Sequence, residues 1–78
     1  MTNYIVRLPG NFYETTSAGR CTKLEVGRLC HPTGRSCPFP TTGGIRYEYV
    51  LEDGYTFWIP PSMADDYLDP ILETYVDF

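Results

Sequence analysis

Four residues of this sequence are of types that hold metals or act as nucleophiles: Cys21, Cys30, His31 and Cys37. Together they have the atoms of a Cys3His zinc site. The spacing does not favour one, because there is no Cys-x2-Cys knuckle and Cys30 and His31 are adjacent, so their side chains tend to diverge. Two other readings stand beside zinc: a buried Cys21 with Cys30 and Cys37 as ordinary loop thiols, or a Cys30–Cys37 disulfide under oxidising conditions. A thiol paired with His31 would also need a third group to orient the base and an oxyanion site. Nothing in the sequence supplies them. The expectation is therefore no enzyme, no cofactor and no resident metal, with a small zinc-stapled domain as an alternative.

The carboxylates form a second constellation. Asp65, Asp66, Asp69, Glu73 and Asp77 fall on the polar side of a helical pattern. Acid–base catalysis needs two carboxyls in unlike environments, whereas these would all be solvated and ionised. Their spacing matches no calcium loop. Asp65, Asp69, Glu73 and Asp77 recur at i, i+4, a rise of about 6 Å per step on an unbroken helix, near the phosphate repeat of a nucleic-acid strand. Glu73 and Asp77 would oppose the helix dipole, and like charges at this spacing cost about a few tenths of a kcal/mol each. Helix stability does not explain such a row. A nucleic-acid mimic presented to a basic, nucleic-acid-binding surface of a partner protein would explain it, and a solubilising outer face of the helix is the plainer reading beside it.

Charge distribution agrees. Residues 1–40 carry Arg7, Arg20, Lys23, Arg28 and Arg35 against Glu14 and Glu25. Residues 41–78 carry Arg46 against Glu48, Glu52, Asp53, Asp65, Asp66, Asp69, Glu73 and Asp77. The second half suits a basic partner. The few cations lie in a loop-rich region, which argues against direct nucleic-acid binding. No run approaches the roughly 18–20 apolar residues of a membrane span, and no signal-peptide pattern opens the chain. An odd cysteine count suits a reducing compartment. The expectation is a cytoplasmic protein of one domain, residues 1–78, with no membrane partner.

The elements that must position these groups follow from periodicity. Asn3–Leu8 reads as a strand, Phe12-Tyr13 as the start of another, and Cys21–Leu29 as a half-buried strand. His31–Gly44, rich in Pro and Gly, reads as a loop. Ile45–Leu51 and Tyr55–Ile59 read as a hairpin around a two-residue Asp53-Gly54 turn. That register sets Val50 opposite Phe57, Glu48 opposite Ile59 and Tyr49 opposite Trp58. It leaves Tyr47, Tyr49, Leu51 and Trp58 on one apolar face, either sandwiched or free to bind. Ser62 and Asp65 resemble a capping box. Beyond them Met63, Ala64, Tyr67, Leu68, Ile71, Leu72, Tyr75 and Val76 make two i, i+4 rows, the signature of an amphipathic helix. Pro70 predicts a kink or a break in it.

Residues 45–61, Ile-Arg-Tyr-Glu-Tyr-Val-Leu-Glu-Asp-Gly-Tyr-Thr-Phe-Trp-Ile-Pro-Pro, resemble the central hairpin of SH3-like small barrels of the Tudor and KOW type. In those, an acidic-Gly turn joins two strands and an aromatic-Ile-Pro exit leads to a short helix. Val26-Gly27-Arg28-Leu29 is compatible with the preceding barrel strand. The resemblance implies binding of peptides, nucleic acid or other subunits through aromatic residues, here Tyr47, Tyr49 and Trp58. A long C-terminal helix departs from that pattern. In composition (small, acidic and Tyr-rich) the chain is similar to phage-encoded inhibitors of host defence or host polymerases. The fold expected is α+β: an antiparallel sheet of three to five strands, in the manner of an SH3-like partial barrel, with the C-terminal helix packed across it. The function expected is a protein-binding module or inhibitor that presents Asp65, Asp66, Asp69, Glu73 and Asp77. A structural subunit or adaptor docking through the aromatic hairpin face is the alternative.

Overall fold

A computed structural model describes residues 3–14, 19–39 and 44–71. Among the described residues seven strands and one short helix follow one another: β1 (Asn3–Val6), β2 (Gly10–Tyr13), β3 (Cys21–Leu24), β4 (Leu29–Phe39), β5 (Gly44–Leu51), β6 (Thr56–Ile59), α1 (Pro61–Tyr67) and β7 (Leu68–Ile71). Five strands form an antiparallel sheet in the order β6-β5-β4-β1-β7. The hairpin β2-β3 packs over one face of it, with Phe12 6.1 Å from Phe57 and the Thr22 hydroxyl donating to the Thr56 carbonyl. Between the two layers lie Val6, Phe12, Leu24, Cys30, Leu51, Phe57, Ile59 and Leu68, all buried. Tyr49 stacks on Phe57 at 5.8 Å and meets Tyr4 edge-on at 5.7 Å.

The chain is thus mostly β, and the expected α+β class with a C-terminal amphipathic helix is overturned. The helix ends at Tyr67, and Leu68–Ile71 instead pairs with β1, from Val6↔Leu68 to Asn3↔Ile71. Pro70 is the main cause. It disfavours helical backbone at Asp69 before it and has no N–H to give. Arg7 donates its N–H to the Tyr67 carbonyl, so the odd positions of β1 face β7. Pro70 pairs with the even-numbered Tyr4, which turns its missing N–H outward at the edge of the sheet, where proline is tolerated. Leu68 and Ile71, neighbours on a helical stripe, are thereby divided between the two faces of a strand, Leu68 buried beside Val6 and Ile71 on the opposite face with Asp69.

Helix α1 also starts differently from the capping box expected at Ser62. Pro60 is its N-cap and Pro61 its first residue, with no side-chain cap. The Pro60 carbonyl accepts from the N–H groups of Met63 and Ala64. Asp65 and Asp66 consequently sit in the last turn, against the negative end of the dipole. The Arg7 guanidinium compensates: its Nε and Nη2 donate to the Asp66 carbonyl at 3.0 and 2.6 Å.

Two further expectations need correction. Within the expected His31–Gly44 loop the described residues are strand instead: β4 runs on to Phe39 and Gly44 opens β5. Leu51 donates to the Tyr55 carbonyl, so odd positions of β5 face β6 and their β4 partners, Pro32 and Pro38 among them, turn their backbone nitrogens away from β5. Neither proline therefore breaks the ladder. The β5-β6 turn holds three residues, Glu52-Asp53-Gly54, with Gly54 at φ 95°, a backbone that glycine adopts at no steric cost. The longer loop slips the register by one, to Tyr49↔Phe57, Glu48↔Trp58 and Tyr47↔Ile59. A one-residue slip exchanges the faces, so Tyr49, Leu51, Phe57 and Ile59 point into the core while Glu48 and Trp58 point out of it.

Beyond Pro32 and Tyr47 the strands β4 and β5 pair only with each other among the described residues. They project as an arm, and the molecule measures 37 × 21 × 20 Å. No described helix is long and apolar enough to cross a membrane.

Candidate partner-binding site

The inward face of β5 outruns the core. Leu51 and Tyr49 pack inside, but the same alternation carries on to Tyr47 and Ile45, which are 44% and 54% exposed. Pro60, Pro61 and Ser62, where the chain leaves β6 for α1, face them across a groove of about 720 Å³ completed by Gly44 and Arg46. Ile5, Leu8, Tyr13, Val26 and Tyr55 are also exposed, but Ile45 and Tyr47 share one face of one strand and so make an apolar strip. Asp65 and Asp66, both exposed, lie three and four residues after Ser62 and so share its side of the helix.

The groove gathers some of the residues expected to bind a partner and separates others. Tyr47, Asp65 and Asp66 stand at or beside it. Tyr49 belongs to the core: burial, and then the nearby Tyr4, Cys30 and Asp65, push its hydroxyl up to about 12. Trp58 is half-buried on the outer face of the sheet, opposite Glu48. Asp69 lies on β7 with a carboxylate oxygen 3.7 Å from Arg7 Nε. Glu73 and Asp77 lie outside the described residues. The single acidic row is therefore broken at Leu68, where the helix gives way to extended backbone.

The cysteines do not converge. Cys21 is exposed on β3, Cys30 is buried in the core, and Cys37 is half-buried on the arm. Burial pushes the Cys30 thiol up to about 12, so it stays protonated at neutral pH. His31 follows Cys30 on an extended strand and points to the other side of the sheet. Among the described residues no three His, Cys, Asp or Glu side chains are grouped to hold a metal.

Sequence reasoning missed a buried carboxylate. Glu48 is only 3% exposed although it points away from the core. Thr33, Gly34 and Arg35 bulge out of β4 opposite this one residue, between the pairs Pro32↔Tyr49 and Ser36↔Tyr47. Gly34 makes the bulge at φ 89°. The Thr33 hydroxyl donates to Glu48 Oε1 at 2.6 Å, and Arg35 Nη1 lies 3.7 Å from Oε2. The signal available in the sequence was Gly34 between Thr33 and Arg35, opposite an acid flanked by tyrosines.

A second concavity, about 350 Å³, opens between β3 and the β5-β6 turn. Its rim mixes Arg20, Lys23 and Arg28 with Glu14, Glu25 and Asp53. Arg28 is already committed, since Nε donates to Glu52 Oε1 at 3.0 Å and Nη2 donates to Asp53 Oδ2. Its hydrogen bonds to Asp53 and then to Glu52 raise the guanidinium above its ordinary value. Partial burial pushes the Asp53 carboxyl up, but its bonds from Arg28 and the Tyr55 N–H outweigh that and leave it below the usual range. This fork fastens the start of β4 to the hairpin turn. It offers no field of one sign to a ligand.

No protein-family model matches this sequence, and neither curated proteins nor solved structures give a match.

Proposed function

We propose that this chain is a non-enzymatic protein-binding module that receives a basic segment of a partner in the groove between β5 and the start of α1. The observation that carries this reading is the overhang of Ile45 and Tyr47: two large apolar side chains beyond the end of the core, facing Pro60-Pro61. The exposed Asp65 and Asp66 beside the groove give it a negative flank, in keeping with the net charge of −4. A short helix directly after Ile59-Pro60, and a run of five antiparallel strands that includes the 45–61 hairpin, support the likeness to SH3-like small barrels. Inhibition of a partner would follow if that basic segment normally holds nucleic acid. The test is capture of partners by immobilised protein at low and high salt, comparing wild type with Tyr47→Ala and Asp65→Lys/Asp66→Lys. A partner retained equally by all three forms would remove the groove as the binding site.

A further inference from the structure

The arm leaves the body of the sheet at the bulge. Pro32↔Tyr49 is the last β4-β5 pair before it and Ser36↔Tyr47 the first after it, so Thr33, Gly34 and Arg35 all stand opposite Glu48. On the other side of β5, pairing with β6 runs only as far as Tyr47↔Ile59. From Arg46 outward, β5 pairs among the described residues with β4 alone. A bulge bends its strand and increases the local twist. The shape of this one therefore decides where Ile45 lies. Gly44 and Ile45 belong to one wall of the groove, while Pro60, Pro61 and Ser62, on the body, form the other.

The Thr33 hydroxyl ties the bulge together. It donates to Glu48 Oε1 at 2.6 Å and accepts the Arg35 N–H at 3.3 Å, so one atom joins both ends of the bulge to β5. Arg35 adds little, because its side chain is largely exposed and Nη1 lies 3.7 Å from Oε2. Packing does not wedge the bulge either: a Cβ built on Gly34 would meet nothing within 4 Å. We infer that Thr33 and Glu48 are positioning residues for the groove: their hydrogen bond sets the angle of the arm and so the separation of Ile45 from Pro60-Pro61. Neither residue lines the groove, so both act through the backbone of β4 and β5. Ile45 stands three residues from Glu48, about 10 Å along a strand. A turn of about 20° at the bulge would move it about 3.5 Å, the full length of a carbon–carbon contact. The inference rests on the groove being the binding site and adds what fixes its width.

The experiment records amide residual dipolar couplings of the full chain, 15N-labelled and well below its unfolding temperature, for wild type, Thr33→Ser, Thr33→Val and Gly34→Ala. In wild type and Thr33→Ser the arm amides of Ser36, Cys37, Ile45 and Arg46 should fit the same alignment as β1, β6 and β7. In Thr33→Val and Gly34→Ala the arm should depart from that alignment while the body still fits it. A loss of overall stability alone moves neither set, and Thr33→Ser restores the hydroxyl, so the pattern separates positioning from stability. Gly34→Ala strains the bulge at its φ of 89° without touching Glu48, and it stands in if Thr33→Val does not fold. The protein captured at low salt by immobilised wild type is then titrated against each variant, and Thr33→Val should bind it about tenfold more weakly. Arm couplings unchanged in both Thr33→Val and Gly34→Ala, or Thr33→Ser departing as far as Thr33→Val, would overturn the positioning role. So would a captured protein lost on Tyr47→Ala but held at full affinity by Thr33→Val, a result that leaves the groove as the binding site. A captured protein held equally by Tyr47→Ala would overturn the groove and the positioning role together.

Discussion

Thr33→Val tests the bulge that covers Glu48. The substitution keeps the shape and β-branching of the side chain and deletes one hydroxyl. That hydroxyl donates to Glu48 Oε1 at 2.6 Å and accepts the Arg35 N–H at 3.3 Å. With Glu48 3% exposed, its carboxylate loses a donor that water cannot readily replace. A hydrogen bond to a charged group is worth about 1.5–3 kcal/mol. The remaining Arg35 contact contributes little, since Arg35 is largely exposed and its Nη1 lies 3.7 Å away. The expected loss is therefore about 2 kcal/mol, and in a domain of this size each kcal/mol lowers Tm by about 4–8 °C. Thermal and urea unfolding of Thr33→Val, Glu48→Gln and the double variant give the cycle. Coupling of at least about 0.5 kcal/mol is expected between the two sites. If Thr33→Val unfolds within about 0.5 kcal/mol of wild type, the reasoning that this hydroxyl holds the carboxylate is refuted.

Other expectations follow from the core, the turn and the thiols. Phe57→Ala deletes the ring at the centre of the core, between Phe12 and Tyr49, and should cost about 3–5 kcal/mol in urea unfolding. Because Asp53 is held below its ordinary value, its contribution is present above the unfolded carboxyl range and lost as pH falls through the folded value. Arg28→Gln should accordingly flatten the acid limb of a stability–pH curve. Cys30 behaves oppositely: its thiol is raised to about 12, so stability should be unaffected near neutrality and fall as pH rises from about 8.5, the ordinary thiol value, toward that figure. A thiol reagent at neutral pH should label the exposed Cys21 in the folded chain and reach Cys30 only on unfolding.

Much of the sheet was legible in local pattern. Tyr4-Ile5-Val6, the alternation from Cys21 and the aromatic hairpin all became strands, because β-branched and aromatic residues bounded by turn residues leave little choice. Leu68 to Ile71 was misread for a physical reason. Four residues with only Leu68 fully buried satisfy a helical template as well as a strand template, and the deciding fact was the open edge of β1, distant in sequence. The hairpin register turned on whether Glu52 belonged to the strand or the turn, and that one residue exchanged Tyr49 with Glu48 between core and surface. Prolines at 32 and 38 read as loop punctuation because sequence alone does not reveal which edge a backbone nitrogen faces. Of the groove, Tyr47, Asp65 and Asp66 could be picked out by type. Their meeting with Ile45 and Pro60-Pro61 required the fold.

The arm formed by β4 and β5 has two unlike edges. Along β4, Pro32, Pro38 and the bulge at Thr33–Arg35 interrupt the row of outward donors, whereas along β5 the Ile45 edge is left open. A protein with two open edges can add copies of a strand without limit and grow into fibres. With one edge blunted, growth stops after a single addition. The prolines of β4 thus guard this arm against stacking copy on copy.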